Sequence, residues 1–118
     1  MYGLRSDVDL GFLADACLVQ VCVGENEVIL NFEPGISIMI AANVRLSRPE
    51  MLPELIEDSR VLGPALVSLL GDSVEGASVR PGGTLRMVWR TGAIVELLDS
   101  WEQFESYTVT HGDSVLVV

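Results

Sequence analysis

The sequence predicts a mainly β domain in which two duplicated antiparallel sheet units, related by a pseudo-twofold, form a sandwich or a partly open barrel with one short helical connection. Three observations carry this reading. Apolar residues alternate with period two in "VILNFEPGISIMIA" (residues 28–41) and again in "LRMVWRTGAIVELL" (85–98), the pattern of strands buried on one face. Gly35 and Gly92 set an offset of 57 residues (92 − 35) at which the two stretches keep their chemical class. Helix signals are confined to the segment between them.

At that offset Leu13 falls on Leu70, Asp15 on Asp72, Cys17 on Val74 and Cys22 on Val79. Further along, Val28 meets Leu85, Leu30 meets Met87, Phe32 meets Trp89 and Ile38 meets Val95. Retained class with few identities is the mark of a repeated structural unit. For Val28, Leu30, Phe32 and Ile36, Ile38, Ile40 to share one core face, Phe32 must pair with Ile36. The connection is then Glu33-Pro34-Gly35, with Gly35 in the left-handed conformation of a bulged turn. The same rule pairs Trp89 with Ala93, Met87 with Val95 and Leu85 with Leu97.

An earlier strand precedes each hairpin, "CLVQVCVG" and "VEGASVRPGG", but their alternation is too poor to assign an inward face. A C-terminal hairpin, "FESYTVT" and "VLVV", turns at His111-Gly112-Asp113-Ser114. About eight strands result, a usual number for a sandwich or barrel. In "RPEMLPELIEDSRVLGPALVSLLG", Pro53 followed by Glu54, Glu57 and Asp58 predicts a first short helix, and Pro64 to Leu70, closed by Gly71, a second. The whole chain, 1–118, is one domain: repeat copy one over 12–41, helical connection over 47–70, copy two over 69–98 and C-terminal hairpin over 104–118.

Seventeen acids against seven bases give a net charge of −10, and every base is Arg. Such a charge repels nucleic acid and anionic membrane and favours basic partners. The acidic "MYGLRSDVDLGF" lacks the basic and apolar regions of a signal peptide. "VLGPALVSLL" is too short to span a bilayer. A cytoplasmic protein is expected.

No phosphate loop, dinucleotide fingerprint or paired metal-ligand motif occurs. The counterparts of Cys17 and Cys22 are valines, which makes both small apolar positions rather than metal or redox ligands. His111, the only histidine, sits in a turn with no nucleophile assignable to it. No enzyme activity, metal or cofactor is therefore expected. Two sets of residues remain as binding candidates. In "DSWEQFESY", Asp99, Trp101, Glu102, Phe104 and Glu105 interleave acids with aromatics outside the repeated frame, a surface suited to a basic protein partner. The second face of the central strands carries Met39, Val88, Arg86 and Arg90, read as a ligand or homodimer face unless the helical connection covers it. Cover by the helix is the favoured expectation.

The stretches "FLADACLVQVCVG", "LLGDSVEGASV", "GGTLRMVWRTGAIVEL" and "FESYTVTHGDSVLVV" together resemble a family of small, uncharacterised bacterial proteins. These carry two copies of a leucine-glycine, valine-rich strand and turn-glycine pattern and end in an acidic "ESY" strand. The resemblance implies a bacterial origin and a β-rich fold of unknown function, with no catalytic residues to carry over. Ala14 stands where the first copy's glycine belongs, and Pro34 precedes the turn glycine. From size, charge and the absence of catalytic motifs, the expected function is a non-enzymatic acidic protein-binding module, concretely an immunity or inhibitor protein for a basic partner such as a bacterial toxin. A small-ligand binder and a homo-oligomeric structural module are the alternatives.

Overall fold

The computed structural model describes residues 9–99 and 106–118. Its strands are β1 (Cys17–Val23), β2 (Val28–Glu33), β3 (Ile36–Ile40), β4 (Val44–Ser47), β5 (Glu54–Ile56), β6 (Val74–Arg80), β7 (Thr84–Trp89), β8 (Ile94–Leu97), β9 (Tyr107–His111) and β10 (Ser114–Val117). One helix, α1 (Ser59–Val67), joins β5 to β6, and a 3-10 turn (Gly11–Leu13) precedes β1. Every paired strand runs antiparallel, in two five-stranded sheets ordered β1-β2-β3-β9-β10 and β5-β4-β8-β7-β6. The sheets pack face to face as a sandwich and do not close into a barrel.

The hairpin registers follow the core faces. Phe32 pairs with Ile36, Leu30 with Ile38 and Val28 with Ile40; Met87 pairs with Val95 and Leu85 with Leu97. These pairs coincide at the 57-residue displacement, and the Trp89 amide donates to the Ala93 carbonyl at 2.9 Å where the first hairpin pairs Phe32 with Ile36. Gly35 and Gly92 both have positive φ, 61° and 95°, a backbone state open to glycine without steric cost. β1 and β6 each carry a bulge, between Leu18 and Gln20 and between Val74 and Gly76. A bulge moves subsequent side chains to the other face, which is why these two strands show poor alternation.

Each three-strand meander is followed by a hairpin that leaves for the opposite sheet. β4 and β5 cross from the first sheet and pair beside β8, while β9 and β10 cross from the second and pair beside β3. The two meanders also meet directly. Cys17 bridges Ser73, the Val74 amide donates to the Ala16 carbonyl, and the Leu18 amide donates to the Asp72 carbonyl. The halves thus hold each other's edges, and neither has a complete sheet of its own.

Two expectations for the connection fail. Residues 54–56 form a strand where a first helix was predicted, because Ile56 can be buried opposite Val44 only in an extended chain. The acids expected in that helix's first turn are divided: Glu54 lies on the strand, and Asp58 caps α1 by accepting from the Arg60 amide. The helix then begins at Ser59, with Pro64 inside it rather than at its start. With β4 and β5 the described residues hold ten strands, above the eight or so predicted, since strands of four and three residues are too short to show a period.

Nor does α1 cover an outer face. It packs against β1, β2 and β5, with Gly63 against Val23, whose cross-strand partner Val28 points into the core. The helix closes the open side of the sandwich between two edge strands. Arg48 fastens its far end by donating to the Ala65 carbonyl at 2.9 Å.

The core is built from the inward residues of both sheets. Within it the fully buried Trp89 stacks on Phe32 with ring centroids 5.9 Å apart, so residues matched by the offset meet across the sandwich. Tyr107 adds a tie between sheets, its buried phenol donating to the Gly83 carbonyl at 2.7 Å. Tyr107→Phe is expected to cost about 1 kcal/mol, because the ring still packs while the carbonyl loses its donor. Urea melts of the two proteins measure this; equal midpoints would show that the bond contributes nothing.

Burial, then the charge of Asp99, drives the Tyr107 phenol's pKa well above its ordinary value of 10.0. A raised folded pKa favours the neutral form. Its stabilisation is therefore complete below the unfolded pKa and is lost as pH climbs above about 10. Absorbance at 295 nm should show one of the two phenols ionising only as the fold opens. A titration in which both ionise near pH 10 with the circular dichroism unchanged would contradict this.

Candidate functional site

The face predicted from Met39, Val88, Arg86 and Arg90 does not exist as one surface. Met39 lies on β3 and points outward from the first sheet, whereas Arg86 and Val88 point outward from β7 in the second. The two faces are on opposite sides of the sandwich. Arg86 stands opposite Glu96 in the β7–β8 register, and the ion pair of Glu96 is with Arg45 at 3.7 Å. Arg90, just beyond β7, is bound to Asp15. The offset partner of Asp15 secures the same turn: Asp72 accepts from the Thr91 hydroxyl at 2.7 Å. The charge of Arg90 is thus met within one chain.

Of the acidic aromatic segment, Trp101, Glu102, Phe104 and Glu105 lie outside the described residues. Asp99 is described and accepts from the buried Ser106 hydroxyl at 3.0 Å, a contact that fixes the entry to β9. Cys17 and Cys22 are free and half-buried. They stand opposite Glu33 and Ile29 in the β1–β2 register, and the Cys22 sulfur accepts from the Asn31 amide at 3.8 Å.

Negative charge gathers elsewhere, at the junction of β5, α1 and the β1–β2 turn. A cleft of about 320 Å³ there is lined by Glu25, Asn26, Glu57, Asp58, Ser59 and Arg60. Local chemistry builds it. Asp58 ends the extended chain and caps the helix, and the Ser59 hydroxyl is shared between the carbonyls of Gly24 and Glu25 at 2.9 and 2.8 Å. That link holds the β1–β2 turn, with its two glutamates, against the start of α1. Arg60 folds back on Asp58, with Nη2 3.2 Å from Oδ2. Its side-chain hydrogen bond, helped by its backbone amide, holds the Asp58 carboxyl below the usual range.

Three carboxylates against one committed guanidinium leave the cleft acidic. No group of three or more His, Cys, Asp or Glu among the described residues is placed to hold a metal ion. The cleft offers carboxylate acceptors at an open surface, an arrangement suited to the guanidinium or ammonium of a partner side chain. The signal was present in "GENE" and "IEDSR", two acidic runs separated by some thirty residues. Only the packing of α1 against β1 shows that they converge.

A second cavity, about 370 Å³, is lined by Asp9, Phe12, Val109, His111, Ser114, Val115 and Leu116. Phe12 and His111 stack inside it with centroids 4.4 Å apart and planes within 5°. His111, which the sequence places in a turn, therefore lines a largely apolar pocket. No helix is long and apolar enough to cross a membrane among the described residues.

The fold defines a β-sandwich in which two meanders exchange C-terminal hairpins. The chain belongs to DUF6188, a family of unknown function whose profile matches residues 13–118. No curated protein and no solved structure matches it.

Proposed function

We propose that this protein is a non-enzymatic binding module for a basic protein partner, in its concrete form an immunity or inhibitor protein that neutralises a bacterial toxin in the cytoplasm. The observation that supports this best is the acidic cleft of Glu25, Glu57 and Asp58 on a rigid helix–turn junction, in a chain of net charge −10. Preorganised carboxylates on a small acidic protein give fast, salt-sensitive association with a basic surface. The segment containing Trp101 and Glu102 is a second contact within the same reading. The 57-residue coincidence of registers is read as a duplication, and the origin as bacterial.

The test is comparative capture. Wild type and Glu25→Lys/Glu57→Lys are immobilised and exposed to bacterial lysate at low salt, with bound protein identified by mass spectrometry. Wild type is expected to retain a stoichiometric basic protein that moderate salt releases, and the double variant to lose at least tenfold in affinity, about 1.4 kcal/mol. Equal retention by both proteins would remove the cleft from the interface. Trp101→Ala with Glu102→Arg tests the second contact in the same assay. The Phe12–His111 cavity supports a small-ligand reading instead; a compound that raises the melting temperature of wild type but not of His111→Ala would favour it.

A further inference from the structure

We propose that the outer edge of β10 is a self-association surface on which two copies of the chain pair β10 with β10, antiparallel, about a twofold axis at Leu116. The two sheets that contain β10 then join into one sheet of ten strands. This goes beyond the acidic cleft, involves none of its residues, and departs from the face the sequence suggested for a dimer.

The four edge strands differ in how they are protected. β1 is bulged and has α1 packed on its Val23 end. β5 is three residues long, follows Pro53 and carries Glu54. β6 is bulged, carries Glu75 and ends in Arg80 before Pro81. Bulges, charges, prolines and short length are the devices that keep an edge from accepting another strand. β10, Ser-Val-Leu-Val, has no charge, no proline and an unbroken register with β9. Its Val115 and Val117 are 60% and 42% exposed, and among the described residues no strand pairs with its outer edge.

The backbone sets the register. Tyr107 and Val118 exchange both amide–carbonyl bonds, at 2.9 and 3.3 Å. Hydrogen-bonded pairs alternate along an antiparallel ladder, so Leu116 bonds to Val109 and Ser114 to His111. The N–H and C=O groups of Val115 and Val117 are left pointing outward. A second β10 placed with Leu116 opposite Leu116 sets Val115 of each copy opposite Val117 of the other. All four outward groups on each strand then find partners, and the valines pack across the seam.

The occupant is a second copy because the edge is complementary to itself and because of charge. Two chains of net charge −10 repel wherever their acids meet. β10 is uncharged, and Thr108, Thr110, Ser37 and Met39 continue an uncharged outer face beside it. The strand itself offers a basic partner no carboxylate, the nearest acids being Asp113 in the turn before it and Asp9 in the adjoining cavity. The contact is shorter than a standard interface of about 800 Å² per partner, so the dimer is weak. Salt should strengthen it by screening the repulsion, opposite to its effect on a basic partner.

Sedimentation equilibrium from micromolar concentration to about 1 mM tests this. Wild type is expected to rise from 12.8 kDa towards twice that mass, more readily in high salt. Val115→Pro removes only an outward N–H and is expected to stay monomeric with unchanged circular dichroism. Val117→Lys serves as the independent variant should proline disturb the hairpin. In a Cys17→Val/Cys22→Val background, Leu116→Cys is expected to oxidise to a disulfide-linked dimer. Wild type that keeps its monomer mass at the highest concentration overturns the proposal, whatever else the edge captures. So does wild-type-like association by both edge variants.

Discussion

Trp89→Ala is expected to remove about 3–5 kcal/mol of stability, the range for truncating a buried Trp or Phe. Trp89 is fully buried at the end of β7 in the second sheet and stacks on Phe32 of the first. Its loss opens a cavity on the line where the two halves meet, and the exchanged hairpins on either side limit how far the sheets can collapse into it. A domain of this size has only about 5–15 kcal/mol in total, so the variant should populate unfolded chain at ordinary temperature. Trp89→Phe should behave differently. The indole Nε1 is buried with no hydrogen-bond partner among the described residues, and such a donor costs about 1–3 kcal/mol. Phenylalanine gives up some volume but removes that cost, which keeps it within about 1 kcal/mol of wild type. Denaturant midpoints of the three proteins decide the matter. An alanine variant within about 1 kcal/mol of wild type would mean that the centre of the core lies elsewhere.

Gly63→Ala carries the second large effect, and its sign opposes local propensity. In an isolated helix alanine is favoured over glycine by about 0.8–1.0 kcal/mol. Here a Cβ at position 63 would stand 2.2 Å from Val23 Cγ2 and 3.3 Å from Val23 Cβ. A β-branched side chain has few rotamers to retreat into, so helix and strand must separate. The expected loss is about 1–3 kcal/mol. Val23→Ala removes the obstructing methyls, and Gly63→Ala should then become neutral or stabilising. A double-mutant cycle gives the coupling. If Gly63→Ala is equally costly with valine or alanine at 23, the close approach of α1 to β1 is not its cause. Because α1 also forms one wall of the acidic cleft, the same cycle reports on how firmly Glu57 and Asp58 are held opposite Glu25.

Legibility varied with the range of the interaction. The two central hairpins were readable residue by residue, since a period of two and a bulged turn leave one register that keeps Val28, Leu30, Phe32 and their counterparts on a single face. The C-terminal hairpin was readable as two strands about a turn at Gly112, but its register came only from the structure. β4 and β5 were not: Val44 and Leu46, or Ile56 alone, make too short a pattern. The acidic run around Pro53 matched a helix start as well as it matched an edge strand followed by a cap.

The site was less accessible still. Glu25 and Glu57 each look like ordinary surface acids in the sequence, and nothing local marks Arg90 as the partner of Asp15, 75 residues away. Met39 and Val88 hold outward positions of their own hairpins, which the offset treats as one face, yet those hairpins are in sheets whose outer faces point apart.

By itself, then, the sequence determined what each segment does locally: which residues turn inward, where the glycines reverse the chain, and that the surface is acidic. Tertiary structure alone decided which sheet each terminal hairpin joins, that α1 closes a side rather than a face, where the carboxylates converge, and which edge is left without protection. The physical reason is that side-chain alternation and turn geometry are set within a few residues. Hairpin exchange, helix docking and charge convergence depend on groups far apart in the chain, and no local pattern records their meeting.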